Sequence, residues 1–156
     1  MTERNKEAQD IIKSYVGWSV CAGLIPVPGI DLAALTALHV NMIRDIGKVY
    51  DVPFKRAGIT PIVSALVGAV LPTVVADSSV STVVKGIPVI GSMLGLAVMP
   101  GLSVAATYGV GRVFIQHFEL GGDFLNFDLA AMRNFFKAEF ESVRKHMRRE
   151  AAPASA

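Results

Sequence analysis

Hydrophobic and polar positions alternate in blocks along this chain, with helical spacing inside each block. Over residues 3–24, Ala8, Ile12, Tyr15 and Ser19 recur three or four apart beside Val16, which predicts a helix with a polar first half. After Tyr15 the pattern turns apolar nearly all round. Leu24-Ile25-Pro26-Val27-Pro28-Gly29 then interrupts it. Two prolines remove backbone donors and the glycine permits a tight reversal, so Pro26, Pro28 and Gly29 are read as a structural turn. Asp31 follows where a helix N-cap is expected. The second helix is predicted to run to about Tyr50, with Leu32, Leu35, Leu38, Met42, Ile46 and Val49 as its apolar stripe.

Two longer apolar runs come next, residues 59–76 and 86–111. Pro61 suits the first turn of the former, and Pro72 should kink or end it. Residues 77–82 are rich in Asp, Ser and Thr and read as a loop. Pro100-Gly101 is read as a second turn. Shifting the chain by 72 residues lays Lys13 on Lys85, Gly23 on Gly95, Pro28-Gly29 on Pro100-Gly101 and Ala33-Ala34 on Ala105-Ala106. Two copies of a helix–Pro-Gly–helix hairpin, residues 10–50 and 82–122, explain this offset; chance matching of abundant Ala, Gly, Val and Leu is its rival. Gly91/Gly95 and Gly101/Ala105/Gly109 sit four apart, a spacing that lets helices approach closely within a hairpin or between copies of the chain.

The last block differs. Asp128 can cap a helix whose stripe is Leu125, Leu129, Met132, Phe136, Phe140, Val143 and Met147. Arg144, Lys145, Arg148 and Arg149 make its end basic, which suits the helix dipole. This helix either docks on the chain's own bundle or lies on anionic lipid, with Phe136 and Phe140 inserted and the four basic residues at headgroups or a partner. The expected fold is all-α. Residues 1–122 form a hairpin domain, 123–150 an amphipathic basic helix and 151–156 a disordered tail.

Composition sharpens the picture. Of 156 residues, 52% are hydrophobic and only 18% charged, against about 25% charged in ordinary soluble domains. Mean hydropathy is +0.48. The charges are segregated: Asp31 is the sole formal charge from Ser14 to Ile43, and Asp77 and Lys85 are the only ones from Ala57 to Gly111. An apolar solvent for the middle of the chain is the natural expectation. Each arm of the first hairpin has roughly 20 Å of apolar helix, short of a bilayer core of about 30 Å. The runs 59–76 and 87–110 could span, with flanking Arg and Lys placing both termini in the cytoplasm.

The formal net charge of +2 is too mild to argue for nucleic acid, and no basic stripe is interleaved with aromatics. One cysteine, Cys21, forms no internal disulfide and suits a reducing compartment. No catalytic constellation is legible. His39, His117 and His146 lack helical partners at metal-ligand spacing, so neither a metal nor a cofactor is expected. His39 reads as a residue on a semi-polar helix face.

The stretch Gly23-Leu24-Ile25-Pro26-Val27-Pro28-Gly29-Ile30-Asp31-Leu32-Ala33-Ala34, followed by Met42-Ile43-Arg44 and Lys48-Val49-Tyr50, resembles the DUF697 family. Residues 106–112 and 118–122 are similar to that family's second block, and the resemblance covers residues 10–122. It departs at His39, where a glutamine is usual, and at Asp51, where a glycine is usual. The resemblance implies a bacterial membrane or partner module, often found beside Era-like or dynamin-like GTPase domains. No such domain is present here, so a separately encoded GTPase is the implied partner. The expected function is therefore a non-enzymatic, membrane-associated helical module at the bacterial inner membrane, in contact with lipid and able to form a homo-oligomer. A soluble helical interaction domain is the second reading. A channel or transporter, resting on Asp31, Asp77 and Lys85, is the third.

Overall fold

The computed structural model describes residues 2–22, 30–54, 56–76 and 88–151, and the regular structure among them is entirely helical. The chain is all-α. In order come α1 (Glu3–Ala22), α2 (Ile30–Val49), α3 (Arg56–Ala76), α4 (Pro88–Glu119) and α5 (Leu129–Ala151).

The longest helix, α4, touches each of the other four. Paired contacts give the directions. Asn5 Nδ2 donates to Glu119 Oε1 at 2.6 Å, and Ile12 packs where Gly111 lacks a side chain, so α1 runs antiparallel to α4. Phe136 sits against Gly109 and Met147 against Gly101, so α5 is antiparallel too. His39 meets Thr107 and Tyr50 meets Phe118, so α2 runs parallel to α4. Arg4–Asp51 and Tyr15–Asp45 tie α1 and α2 into an antiparallel pair.

The core lies around α4. Ile12, Met42, Ile43, Ile46, Ile59, Leu66, Val113 and Phe114 are fully buried there, each contributing about 1.5–3 kcal/mol of transfer free energy where the side chain is large. At one end of the bundle Phe114, Phe118, Phe124 and Phe127 close the core as a nest of ring contacts.

Helix ends follow local chemistry. Asp128 Oδ1 accepts from the amides of Ala130 (2.9 Å) and Ala131 (3.1 Å), capping α5 as its sequence predicts. After α4, Gly121 takes φ +80° while Gly121 and Gly122 donate back to the carbonyls of Phe118 and His117. This is a Schellman ending, and it needs the left-handed residue that glycine supplies.

Several expectations are corrected. Pro100-Gly101 makes no turn: α4 stays helical through both. A lone interior proline removes a single hydrogen bond, and position 98 is valine where the first motif has Pro26, so the double interruption of Pro26-Val27-Pro28-Gly29 is not repeated. The second hairpin of the 72-residue repeat is thus absent from the backbone. Pro72 lies inside α3, and Pro61 is beyond its first turn because the helix starts at Arg56. α2 begins at Ile30, which puts Asp31 inside its first turn rather than ahead of it. Pro26, Pro28, Gly29 and the tail beyond Ala151 lie outside the described residues. Among the described residues no helix is long and apolar enough to cross a membrane, so the expected spans at 59–76 and 87–110 are not seen; Ile59, Val63, Val110 and Val113 turn into the shared core instead.

Candidate functional site

Charge on α1 stops at Lys13, and the second half of the helix is apolar or weakly polar. Ser14, Tyr15, Trp18 and Cys21 from this half face Ala34, Ala37, Leu38 and Asn41 of α2. The two alanines leave room that a larger side chain would fill. The result is an open, largely apolar groove of about 700 Å³ between the helices. Trp18 stands at its rim with 70% of its surface exposed and Cys21 exposed beside it, while Val20 is exposed on another face of the helix.

One end of the groove is latched by polar groups. The Tyr15 hydroxyl donates to Asp45 Oδ2 at 2.7 Å, while Asp45 Oδ1 accepts from Lys48 Nζ at 3.0 Å and Arg44 Nε at 3.1 Å. Burial, then the hydrogen bond and charge of Asp45, push the Tyr15 phenol up to about 12. Burial alone would raise the Asp45 carboxyl. The bonds from Tyr15, Lys48 and Arg44 outweigh it and hold the group below the usual carboxylate range.

His39 is buried, not on a semi-polar face. Its Nε2 lies 3.0 Å from Thr107 Oγ1, and among the described residues its Nδ1 has no partner. Loss of solvent pushes the imidazole down to about 4, so it is neutral at pH 7. The signal was available: His39, Met42, Ile43 and Ile46 share one helical stripe, and that stripe rather than Leu35 and Leu38 is the buried face. His117 serves structure, its Nε2–H donating to the Asp123 carbonyl at 2.8 Å. Among the described residues no group of three or more His, Cys, Asp or Glu converges to hold a metal.

α5 docks on α4, so residues 1–122 and 123–150 share one core. Phe136 and Phe140 are buried, which corrects their assignment to lipid or partner contact. The cause is α4: without side chains at Gly109 and Gly101 and with a methyl at buried Ala105, it offers a shallow channel into which Phe136 sinks. Arg144 is drawn onto the bundle as well, bonded to Glu141 at 3.2 Å and stacked 5.7 Å above the Phe140 ring. Lys145, Arg148 and Arg149 remain exposed. Gly91 and Gly95 lie on the early part of α4.

A family model described as a domain of unknown function, DUF697, matches residues 1–145. Magnetosome membrane protein 22 of Magnetospirillum gryphiswaldense is 36% identical over 138 residues, covering 88% of this chain and 71% of that protein. No solved structure matches the chain.

Proposed function

This chain belongs to the DUF697 family, and on that premise we propose that it is a non-enzymatic helical module that docks on a membrane by the Trp18 end of its bundle, where it anchors or organises a membrane site. The observation that carries the reading is the exposed Trp18 at the rim of an apolar groove, on a stretch of helix without charge. Tryptophan belongs at the boundary between headgroups and acyl chains, where its ring is apolar and its N–H still finds water. The relative named as a magnetosome membrane protein supports the same reading.

Docking is shallow. A helix end that inserts Trp18 reaches about 5–10 Å into the interface, without requiring a spanning segment. The module sits on the cytoplasmic face of the bacterial inner membrane with both termini in the cytoplasm. Its partners are membrane lipid, further copies of itself and a GTPase encoded separately.

Fractionation tests this directly. The chain is expected in the membrane pellet and to be released from it by detergent. Complete recovery as a soluble monomer without detergent would sink the proposal. A second reading, a soluble interaction bundle, is favoured by the burial of Phe136 and Phe140 against α4. It expects a detergent-free monomer with one cooperative melt.

A further inference from the structure

Burial changes abruptly along α2. From Ala34 to Leu38 no side chain is fully buried, whereas His39, Val40, Met42, Ile43, Ile46 and Gly47 all lie in the core. Contacts with the rest of the bundle follow the same division. Gly47 sits against the Phe124 ring, Tyr50 meets Phe118, and Asp45 accepts from Tyr15 of α1. Among the described residues His39 is the buried residue nearest the start of the helix, and its Nε2 meets Thr107 of α4 at 3.0 Å. Ala34, Ala37 and Leu38, just before it, form the α2 wall of the open groove. His39 thus stands where a seated half of α2 gives way to a half that only leans on the bundle.

Among the described residues no charge answers this imidazole. On α1, Tyr15 is engaged by Asp45, Lys13 is paired with Asp10 on the surface, and Cys21 is exposed. On α2, Arg44 and Lys48 are bonded to Asp45, which stands about 9 Å along the axis at 1.5 Å per residue. On α4, Arg112 pairs with Glu139 of α5 and Tyr108 borders the α5 side, while Glu141 of α5 is paired with Arg144. α3 carries no charge after Arg56. A neutral imidazole tolerates this setting, because it has one N–H and one lone pair and the Thr107 hydroxyl can serve either. A proton turns both nitrogens into donors. Thr107 accepts from one, and the other has no acceptor among the described residues. A buried cation without a counter-charge is costly, and its relief is water.

We infer that His39 is a proton-operated clasp: when it takes up a proton, residues 30–40 of α2 leave α4 and open the α2 wall of the groove, while the half beyond Met42 stays seated. The seated half holds because its ties keep their protonation state in mild acid. The Asp45 carboxyl is held below the usual carboxylate range, Tyr15 stays protonated, and the ring contacts at Gly47 and Tyr50 do not depend on charge. A freed segment this short does not stay helical by itself in water, so its amides become open to exchange. The clasp acts whatever the groove meets, lipid or protein.

Hydrogen exchange of the full chain at pH 7 and pH 5, followed residue by residue by NMR, is the test. Protection at residues 36–41 is expected to lie below that at residues 46–49 at both pH values. Uptake of the proton near pH 6.5 in the open state and near pH 4 in the closed one should lower protection at 36–41 about twentyfold from pH 7 to pH 5. His39→Gln should keep the difference between the two halves and lose the fall. His39→Leu, which suits the same apolar surroundings, takes its place if the glutamine variant does not fold. Equal protection along the whole of α2 would mean that the helix leaves as one unit, which overturns the clasp. A wild type without the fall, or a fall that survives replacement of His39, overturns it as well.

Discussion

Asp51 holds φ +58° directly after α2, and its carboxylate accepts a hydrogen bond from Arg4 Nη2 at 3.2 Å across the α1–α2 pair. Its amide donates to Lys48 and that of Val52 to Gly47, so Asp51 occupies the left-handed residue of a Schellman ending. This is the position where the family resemblance leads one to expect glycine. The aspartate carries a left-handed strain of about 1 kcal/mol or more. Its ion pair is 61% and 79% exposed on the two side chains, and such a pair contributes only about 0–1 kcal/mol. Asp51→Gly should therefore raise stability by about 0.5 kcal/mol, whereas Asp51→Ala, with strain and no pair, should lower it. Chemical denaturation of both variants checks this. A clear loss in Asp51→Gly would show that the Arg4 pair outweighs the strain.

Stability should fall in mild acid because of His39. Its folded pKa is about 4, against 6.5 for a free imidazole. The unfolded chain thus binds the proton first. The contribution is whole above about pH 6.5 and is lost as pH falls toward 4, reaching about 3 kcal/mol. Asp45, whose carboxyl is held low, adds a loss only at still more acid pH. Melts between pH 7 and pH 4 should show the decline. In His39→Gln, which keeps a group able to bond Thr107, the slope between pH 6.5 and 4 should flatten. An unchanged slope would place the titrating group elsewhere.

Gly109 and Gly17 should respond oppositely to alanine. A Cβ at Gly109 would lie 2.7 Å from the ring of Phe136, which is fully buried and has nowhere to retreat. Gly109→Ala should cost about 1–3 kcal/mol through overpacking. Gly17 has nothing within 4 Å and lies in the interior of α1, so Gly17→Ala should gain about 0.5–1 kcal/mol from helix propensity and reduced unfolded-state entropy. Thermal melts of the two variants would separate these signs, and a neutral Gly109→Ala would mean that α5 is not seated on α4 as described.

The chain contains one tryptophan, so its fluorescence reports Trp18 alone. Emission should resemble that of indole in water, given its exposure. Vesicles should shift it to shorter wavelength and protect it from aqueous quenchers. Emission that stays unchanged at saturating lipid would remove Trp18 from the docking surface.

Spectrophotometric titration should find Tyr15 still protonated near pH 11, since its phenol is pushed up to about 12. Tyr15→Phe removes the 2.7 Å bond to Asp45 and should cost about 1 kcal/mol, because Lys48 and Arg44 continue to serve the carboxylate.

The features legible in the sequence are those governed by neighbours a few residues away. The α-helical class follows from three- and four-residue spacing, and the cap at Asp128 from one side chain meeting amides two and three residues on. The segregation of charge, which leaves the Trp18 half of α1 bare, is likewise visible without a fold. The candidate groove was not legible, because it needs Ala34 and Ala37 to lie opposite Trp18 and Cys21. Nor was the fate of Phe136 and Phe140. Apolar burial has no direction of its own, so lipid and a neighbouring helix satisfy the same stripe. Only the bare backbone of α4 at Gly109 decided that the rings go inward. The same holds for His39, whose stripe is set by the sequence but whose neutrality comes from helices closing over it, and for Pro100, whose single lost hydrogen bond α4 accommodates without turning.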